Sequence, residues 1–233
     1  MDLIAPPLPL QWPYLPRVVP ESPGCTAVIE LPGLVGLWHL ETSSSLNICK
    51  YGKKSELAFG RGGIIRHGSL VLRPYRRGGL VRYINTGTYM GTARFKHEFD
   101  VHKAIWKSGI PTVEPVGWAY KSKRIGNEGV FLTKFASGTP WPHTWNGSAD
   151  FLTKLITILK ALCSWGLYAP DLNATNILIS QNEEPIALDW DQTIWSPKPN
   201  LMATYQKRLI RSMKKLGAQT DLLTKVRQLI ENS

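Results

Sequence analysis

Gly166-Leu167-Tyr168-Ala169-Pro170-Asp171-Leu172-Asn173-Ala174-Thr175-Asn176-Ile177-Leu178-Ile179, a polar turn from Ser180 to Pro185, and Ile186-Ala187-Leu188-Asp189-Trp190-Asp191 form the most informative stretch of this chain. Two apolar triplets flank the turn and predict a β-hairpin. The hairpin sets Asn176 just before one strand and Asp189 just after the other, so that with Asp171 three oxygen-bearing side chains converge on one end. Phosphoryl transfer needs such a convergence: Mg²⁺ is a hard cation that takes carboxylate and amide oxygens, and an attacking hydroxyl needs an acceptor beside it. Taken alone, Asp171 and Asn173 also suit ordinary turn chemistry. The hairpin and the second Asp shift the balance toward a site.

Upstream, Leu152, Leu155, Ile156, Leu159 and Leu162 recur at helical spacing over 149–165 and predict a buried helix that opens a helical lobe. The preceding loop, 137–147, contains Trp141 and Trp145. Residues 113–120 and 129–135 read as strands separated by a basic, Gly-containing turn. A helix is expected over 93–107, with Phe95, Phe99, Ile105 and Trp106 as its apolar positions, ended by Gly109 and Pro111. Before it, Ile64-Ile65-Arg66, His67-Gly68 and Ser69-Leu70-Val71-Leu72-Arg73 form a strand, tight turn, strand pattern, preceded by the Gly-rich turn Gly60-Arg61-Gly62-Gly63. Residues 34–51 supply candidate first strands, and prolines recurring over 6–32 leave little scope for a helix. The expected division is an N-terminal extension at 1–58, a small lobe at 59–136 and a helical lobe at 137–233, one α+β domain overall.

Composition agrees with a globular chain, 43% apolar over 233 residues. Cys25, Cys49 and Cys163 are too scattered for a disulfide framework or a zinc site, and they fit a reducing compartment. No apolar run approaches the ~18 residues of a membrane-spanning helix. The Pro-rich start lacks the basic region and cleavage site of a signal peptide, so a cytosolic location is expected. A formal net charge of +11 points to an anionic partner.

The ordered set of motifs over 59–217 resembles the protein-kinase-like superfamily and, within it, the bacterial lipopolysaccharide kinases of the 3-deoxy-D-manno-octulosonic acid (Kdo) kinase family. The set comprises the turn at Gly60, Gly62 and Gly63; Arg73-Pro74-Tyr75-Arg76-Arg77-Gly78-Gly79; Glu98 on the helix; Asp171-Leu172-Asn173-Ala174 with Asn176-Ile177-Leu178; and Asp189-Trp190-Asp191. The resemblance implies a two-lobed fold, with an antiparallel sheet and one helix before a mainly helical lobe that carries the catalytic hairpin. It implies ATP and Mg²⁺ as cofactors, Asp171 as catalytic base and Asn176 and Asp189 as metal ligands. Gly60, Gly62, Gly63, Arg73 and Glu98 become nucleotide-binding residues, with Arg73 where kinases carry a Lys and Glu98 as its partner. Singly, a Gly-rich turn is more often a plain hairpin, and a lone Arg or Glu an ordinary surface charge. Ala169 stands where the family usually has His, a change of scaffold that also leaves open a weakly active or scaffold protein. Trp190-Asp191 replaces Phe-Gly and suggests a metal loop without a flexible glycine.

Too few residues follow Asp189 for the segment with which protein kinases hold polypeptides, so a small or lipid-linked sugar is the expected substrate. The family's activity implies phosphorylation of Kdo, at its 4-hydroxyl, on a lipid A precursor at the cytoplasmic face of the inner membrane; a heptose kinase would share the catalytic parts. Residues 201–216 place Leu201, Tyr205, Leu209, Met213 and Leu216 on one helical face, with Lys207, Arg208, Arg211, Lys214 and Lys215 elsewhere. That pattern suits a packed helix with a solvated face, or contact with an anionic bilayer. Arg61, Arg66, Arg73, Arg76, Arg77 and Arg82 add a basic cluster suited to phosphates. Nine Trp and the positive charge raise a nucleic-acid module as a rival. The Trp residues sit in apolar contexts, and no nucleic-acid partner is expected.

Overall fold

A computed structural model describes residues 25–29, 36–42, 54–57, 64–67, 69–75, 88–141, 148–196 and 200–231. Contacts divide the chain into two units: residues within 25–100 with 114–135, and residues within 101–113 with 136–231. Gly60, Gly62 and Gly63 lie outside the described residues, as do Arg61, Arg76, Arg77, Arg82, Trp145 and most of the Pro-rich segment.

The first unit is an antiparallel sheet of β1 (Cys25–Ile29), β2 (Gly36–Thr42), β3 (Lys54–Leu57), β4 (Ile64–His67), β5 (Leu70–Pro74), β6 (Thr88–Tyr89), β7 (Pro115–Ser122) and β8 (Asn127–Lys134). The strand order is β1-β2-β7-β8-β5-β4-β3, with β6 on β8. Alternation shows in β5, where Leu70 and Leu72 are buried and Val71 and Arg73 are less so. Helix α1 (Ala93–Lys107) keeps the bounds its apolar spacing predicts and ends at Gly109, whose φ of 86° is the left-handed conformation glycine adopts most readily. Phe95 and Phe99, one helical turn apart, join Tyr75, Tyr89, Trp118 and Phe131 in an aromatic core.

Gly129 on β8 makes room for that core: a Cβ there would stand 2.5 Å from Cε1 and Cζ of Phe95. Phe95 is wholly buried, with its ring centroid 4.5 Å from that of Tyr75, so it has little room to retreat. Gly129→Ala is expected to destabilise the protein by about 1–3 kcal/mol through overpacking. Chemical denaturation would read this as a lower midpoint at unchanged slope.

The second unit contains α2 (Ala149–Ser164), α3 (Leu201–Lys215) and α4 (Thr220–Glu231), with short strands β9 (Thr139–Pro140), β10 (Leu167–Tyr168), β11 (Ile177–Ile179), β12 (Pro185–Ala187) and β13 (Ile194–Trp195). Phe151, Leu152, Leu155, Ile156, Leu159 and Leu162 of α2 build its core with Trp141, Trp190 and the buried stripe Leu201, Tyr205, Leu209, Met213 of α3. Three features go beyond the sequence reading. Part of the 137–147 loop pairs with β11 as β9, β10 pairs with β13, and α4 follows α3. Two-residue strands carry too little periodicity to be read locally and exist because a partner strand is present.

Candidate active site

The loop between β10 and β11 carries Asp171. Its main-chain carbonyl accepts from two side-chain amides, Asn173 Nδ2 at 3.0 Å and Asn176 Nδ2 at 2.9 Å. Asn173 also caps the short 3₁₀ turn Ala174–Asn176, its Oδ1 accepting from the Thr175 amide at 3.0 Å. Asn173 thus shapes the loop by turn chemistry, and Asp171 is half-buried within it.

Helix α3 grips this loop through residues the motif reading overlooked. The Tyr205 hydroxyl donates to the Leu167 carbonyl and accepts from the Ala169 amide, both at 2.8 Å. Burial pushes this hydroxyl well above the usual tyrosine range, so it remains a donor at neutral pH. Ser212 Oγ accepts from the Ala174 amide at 3.0 Å, and Arg208 donates to the Tyr168 hydroxyl at 3.3 Å. Ala169, standing in the usual place of His, is wholly buried, and a tyrosine from another element makes the loop contact there. The available signal was a Tyr in an otherwise aliphatic helical stripe, since a buried hydroxyl requires a partner.

The predicted hairpin forms, with Ile177 opposite Ala187, Leu178 opposite Ile186 and Ile179 opposite Pro185. The Leu188 amide donates to the Asn176 carbonyl at 2.9 Å, which extends the pairing to the residue before Asp189. Asp189 Oδ1 accepts from the Asp191 amide at 3.0 Å. Trp190 is wholly buried, and its Nε1 donates to Thr112 Oγ1 at 2.8 Å while Thr112 donates to the Ala187 carbonyl at 2.6 Å. The indole thus anchors the segment that follows β12.

Asn176 and Asp189 carry side-chain oxygens of the hard type that Mg²⁺ takes. The Asn176 Nδ2 donates to the Asp171 carbonyl, and its Oδ1 lies 3.5 Å from the Thr175 hydroxyl, which donates to it. Among the described residues no group of three or more His, Cys, Asp or Glu could cage a metal. A two-oxygen set fits Mg²⁺, which keeps waters and phosphate oxygens in its shell. The Cys163 thiol, pushed up to about 11 by burial, stays protonated at neutral pH and is no thiolate nucleophile.

In the sheet unit, Arg73 of β5 forms an ion pair with Glu98 of α1, the pairing expected of these two positions. Its guanidinium carbon also stands 5.5 Å from the centre of the Phe131 ring. The Glu98 side chain is 1% exposed and that of Arg73 30%, so removing the arginine leaves a buried carboxylate short of its cation. Arg73→Met is expected to cost about 2 kcal/mol, with most of it restored by Arg73→Lys. Thermal melts of the two variants would measure the difference. Arg66, from the same basic cluster, sits 3.6 Å over the Phe135 ring.

An antiparallel sheet with an Arg–Glu pair from strand to helix, followed by a helical unit with D-x-x-x-x-N and a second Asp flanking a hairpin, is an α+β arrangement of the kind that the resemblance to protein-kinase-like proteins implies. No family model matches the chain. It is 27% identical over 168 residues to proteins named 3-deoxy-D-manno-octulosonic acid kinase from two strains of Xanthomonas oryzae pv. oryzae, PXO99A and KACC10331 / KXO85. The match covers 64% of this chain, and the chain spans 63% of the length of these relatives. Among solved structures, WbdD bound to the kinase inhibitor LY294002 superposes at a TM-score of 0.44 with 12% identity, over 71% of this chain and 37% of that one. A structure described as the bifunctional kinase-methyltransferase WbdD gives 0.45 and 11%, over 71% and 38%.

Proposed function

We propose that the chain is an ATP-dependent kinase that phosphorylates a Kdo residue, at its 4-hydroxyl, on a Kdo-lipid A type acceptor at the cytoplasmic face of the bacterial inner membrane. The observation that supports this reading is the open end of the hairpin, where the Leu188 amide bonds the Asn176 carbonyl one residue before Asp189 and both Asn side chains of the loop hold the Asp171 carbonyl. Similarity to proteins named Kdo kinase supports the choice of acceptor.

Mg-ATP, when bound, supplies the transferable phosphoryl group and a cation that offsets its developing charge. On the protein side, Asn176 Oδ1 and the Asp189 carboxylate are the oxygens assigned to hold that cation. Asp171 accepts the hydrogen bond of the acceptor hydroxyl and then its proton, which aligns the oxygen for attack. Arg73, held by Glu98, is assigned to the nucleotide phosphates, together with Gly60, Gly62 and Gly63. The same reading makes 59–136 the nucleotide-binding lobe and 137–233 the catalytic lobe.

Incubation with Kdo-lipid A precursor and Mg-ATP, followed by mass measurement of the lipid, tests this. One added phosphate on the Kdo 4-hydroxyl is expected. Transfer only to a heptose-bearing acceptor would replace the substrate and keep the residue roles. Nucleotide binding without transfer to any acceptor would overturn the catalytic reading.

A further inference from the structure

Among the described residues several lysines have carboxylates to answer them: Lys96 pairs with Asp100, Lys123 with Glu128, Lys134 with Glu114, and Lys154 with Asp150 and Glu184. The groove between α3 and α4 instead gathers cations with no such partner into one place. It encloses about 610 Å³, and its lining includes Lys207, Arg211, Lys214, Lys215 and Arg227 around Ile210. All five cations are exposed, and none pairs with a described acidic residue. Helix α3 carries no Asp or Glu. The acidic side chain nearest in the hydrogen-bond network is Glu231, whose Oε1 accepts from Gln206 Nε2 at 3.4 Å. Five like charges in one groove repel one another, a cost that an ordinary solvated face relieves with interspersed acids.

At about 100° per residue, Lys207, Arg211 and Lys214 fall on the side of α3 opposite Tyr205 and Ser212, which hold the Asp171 loop. The groove is therefore separate from the phosphotransfer loop. None of its lining residues is aromatic, so it offers no platform on which the bases of a single strand stack. Lysine stems and Ile210 provide apolar surface beneath the charged heads, a combination suited to phosphate headgroups at the edge of a bilayer.

We propose that the α3–α4 groove is the surface by which this protein docks on the phosphate headgroups of an anionic membrane. The docking requires no transfer chemistry. It gives the membrane location proposed above a physical site, and it stands or falls separately from the catalytic reading. The membrane is contacted from one side only, consistent with the absence among the described residues of any helix long and apolar enough to cross it.

The test is sedimentation of the full chain with vesicles of phosphatidylcholine, with and without phosphatidylglycerol. Binding is expected only to the anionic vesicles and is expected to weaken with salt. The triple variant Lys207→Gln, Arg211→Gln, Lys214→Gln should lose affinity by about fivefold per cation, more than a hundredfold in all. A control with the same loss of charge elsewhere, Lys107→Gln, Lys160→Gln, Lys225→Gln, should bind much as the parent does. Equal losses in the two triples, or equal binding to neutral vesicles, would overturn the proposal. So would a groove that binds single-stranded RNA or inorganic phosphate but no vesicle. Asp171→Asn should bind vesicles like the parent, so a failed transfer assay leaves this result intact. Conversely, transfer to a detergent-solubilised acceptor by a protein that ignores vesicles would retain the catalytic reading and reject the docking surface.

Discussion

Asp171→Asn is expected to lower kcat by at least about a hundredfold, the usual contribution of a positioned general base, while leaving the fold intact. The expectation of an unchanged fold follows from the loop's hydrogen bonds. Asn173 and Asn176 donate to the main-chain carbonyl of residue 171, a group the substitution does not alter. The new amide is nearly the same size as the carboxylate but cannot take a proton from the acceptor hydroxyl. Phosphate transfer measured by lipid mass should collapse while the melting temperature and nucleotide affinity stay near the parent values. Asp189→Asn should also lose transfer, but with weakened binding of Mg-nucleotide, because it removes charge at the proposed cation site. An Asp171→Asn variant that kept a third of the parent rate would remove Asp171 from the base role.

Tyr205→Phe is expected to be the costliest single-atom change in the helical unit. The ring remains and packing is preserved, but the Leu167 carbonyl and the Ala169 amide lose their shared partner in a buried setting. Each stranded group costs roughly 1–3 kcal/mol, and about 3 kcal/mol in total is a fair expectation. Chemical denaturation should show a clearly lower midpoint. The folded fraction should also turn over more slowly at a nearly unchanged KM for nucleotide, because the strand leading into Asp171 loses its hold on α3. Ser212→Ala strands the Ala174 amide alone and should cost less, about 1–2 kcal/mol. Since burial keeps the Tyr205 hydroxyl protonated throughout the neutral range, neither effect should vary with pH there. A Phe variant as stable as the parent would show that water or a shifted backbone replaces the hydroxyl.

Much of the local structure was legible from local pattern. The hairpin follows from two apolar triplets around a polar turn, and its register from the side chains that must face the core. The bounds of α1 follow from apolar spacing and a glycine stop. Arg73 and Glu98 are 25 residues apart, and their pairing was expected only because the order of motifs resembles a known family. Thr112, which carries the Trp190 indole, escaped notice because 78 residues separate the two and neither belongs to a periodic pattern. The basic face of α3 was visible in the sequence. That Arg227 joins it from α4 depends on the reversal at Gly217, whose φ is 75°.

The order of residues from Gly166 to Asp191 was enough to predict the hairpin that Asn176 and Asp189 flank, because strand alternation and turn preference act over neighbouring residues. What holds that hairpin and loop in shape was settled by the folded chain, in which α3 returns to offer Tyr205 and Ser212 to backbone groups that would otherwise be buried without partners. Satisfying such groups depends on whichever element happens to lie across from them, and contact of that kind leaves no local trace in the order of residues.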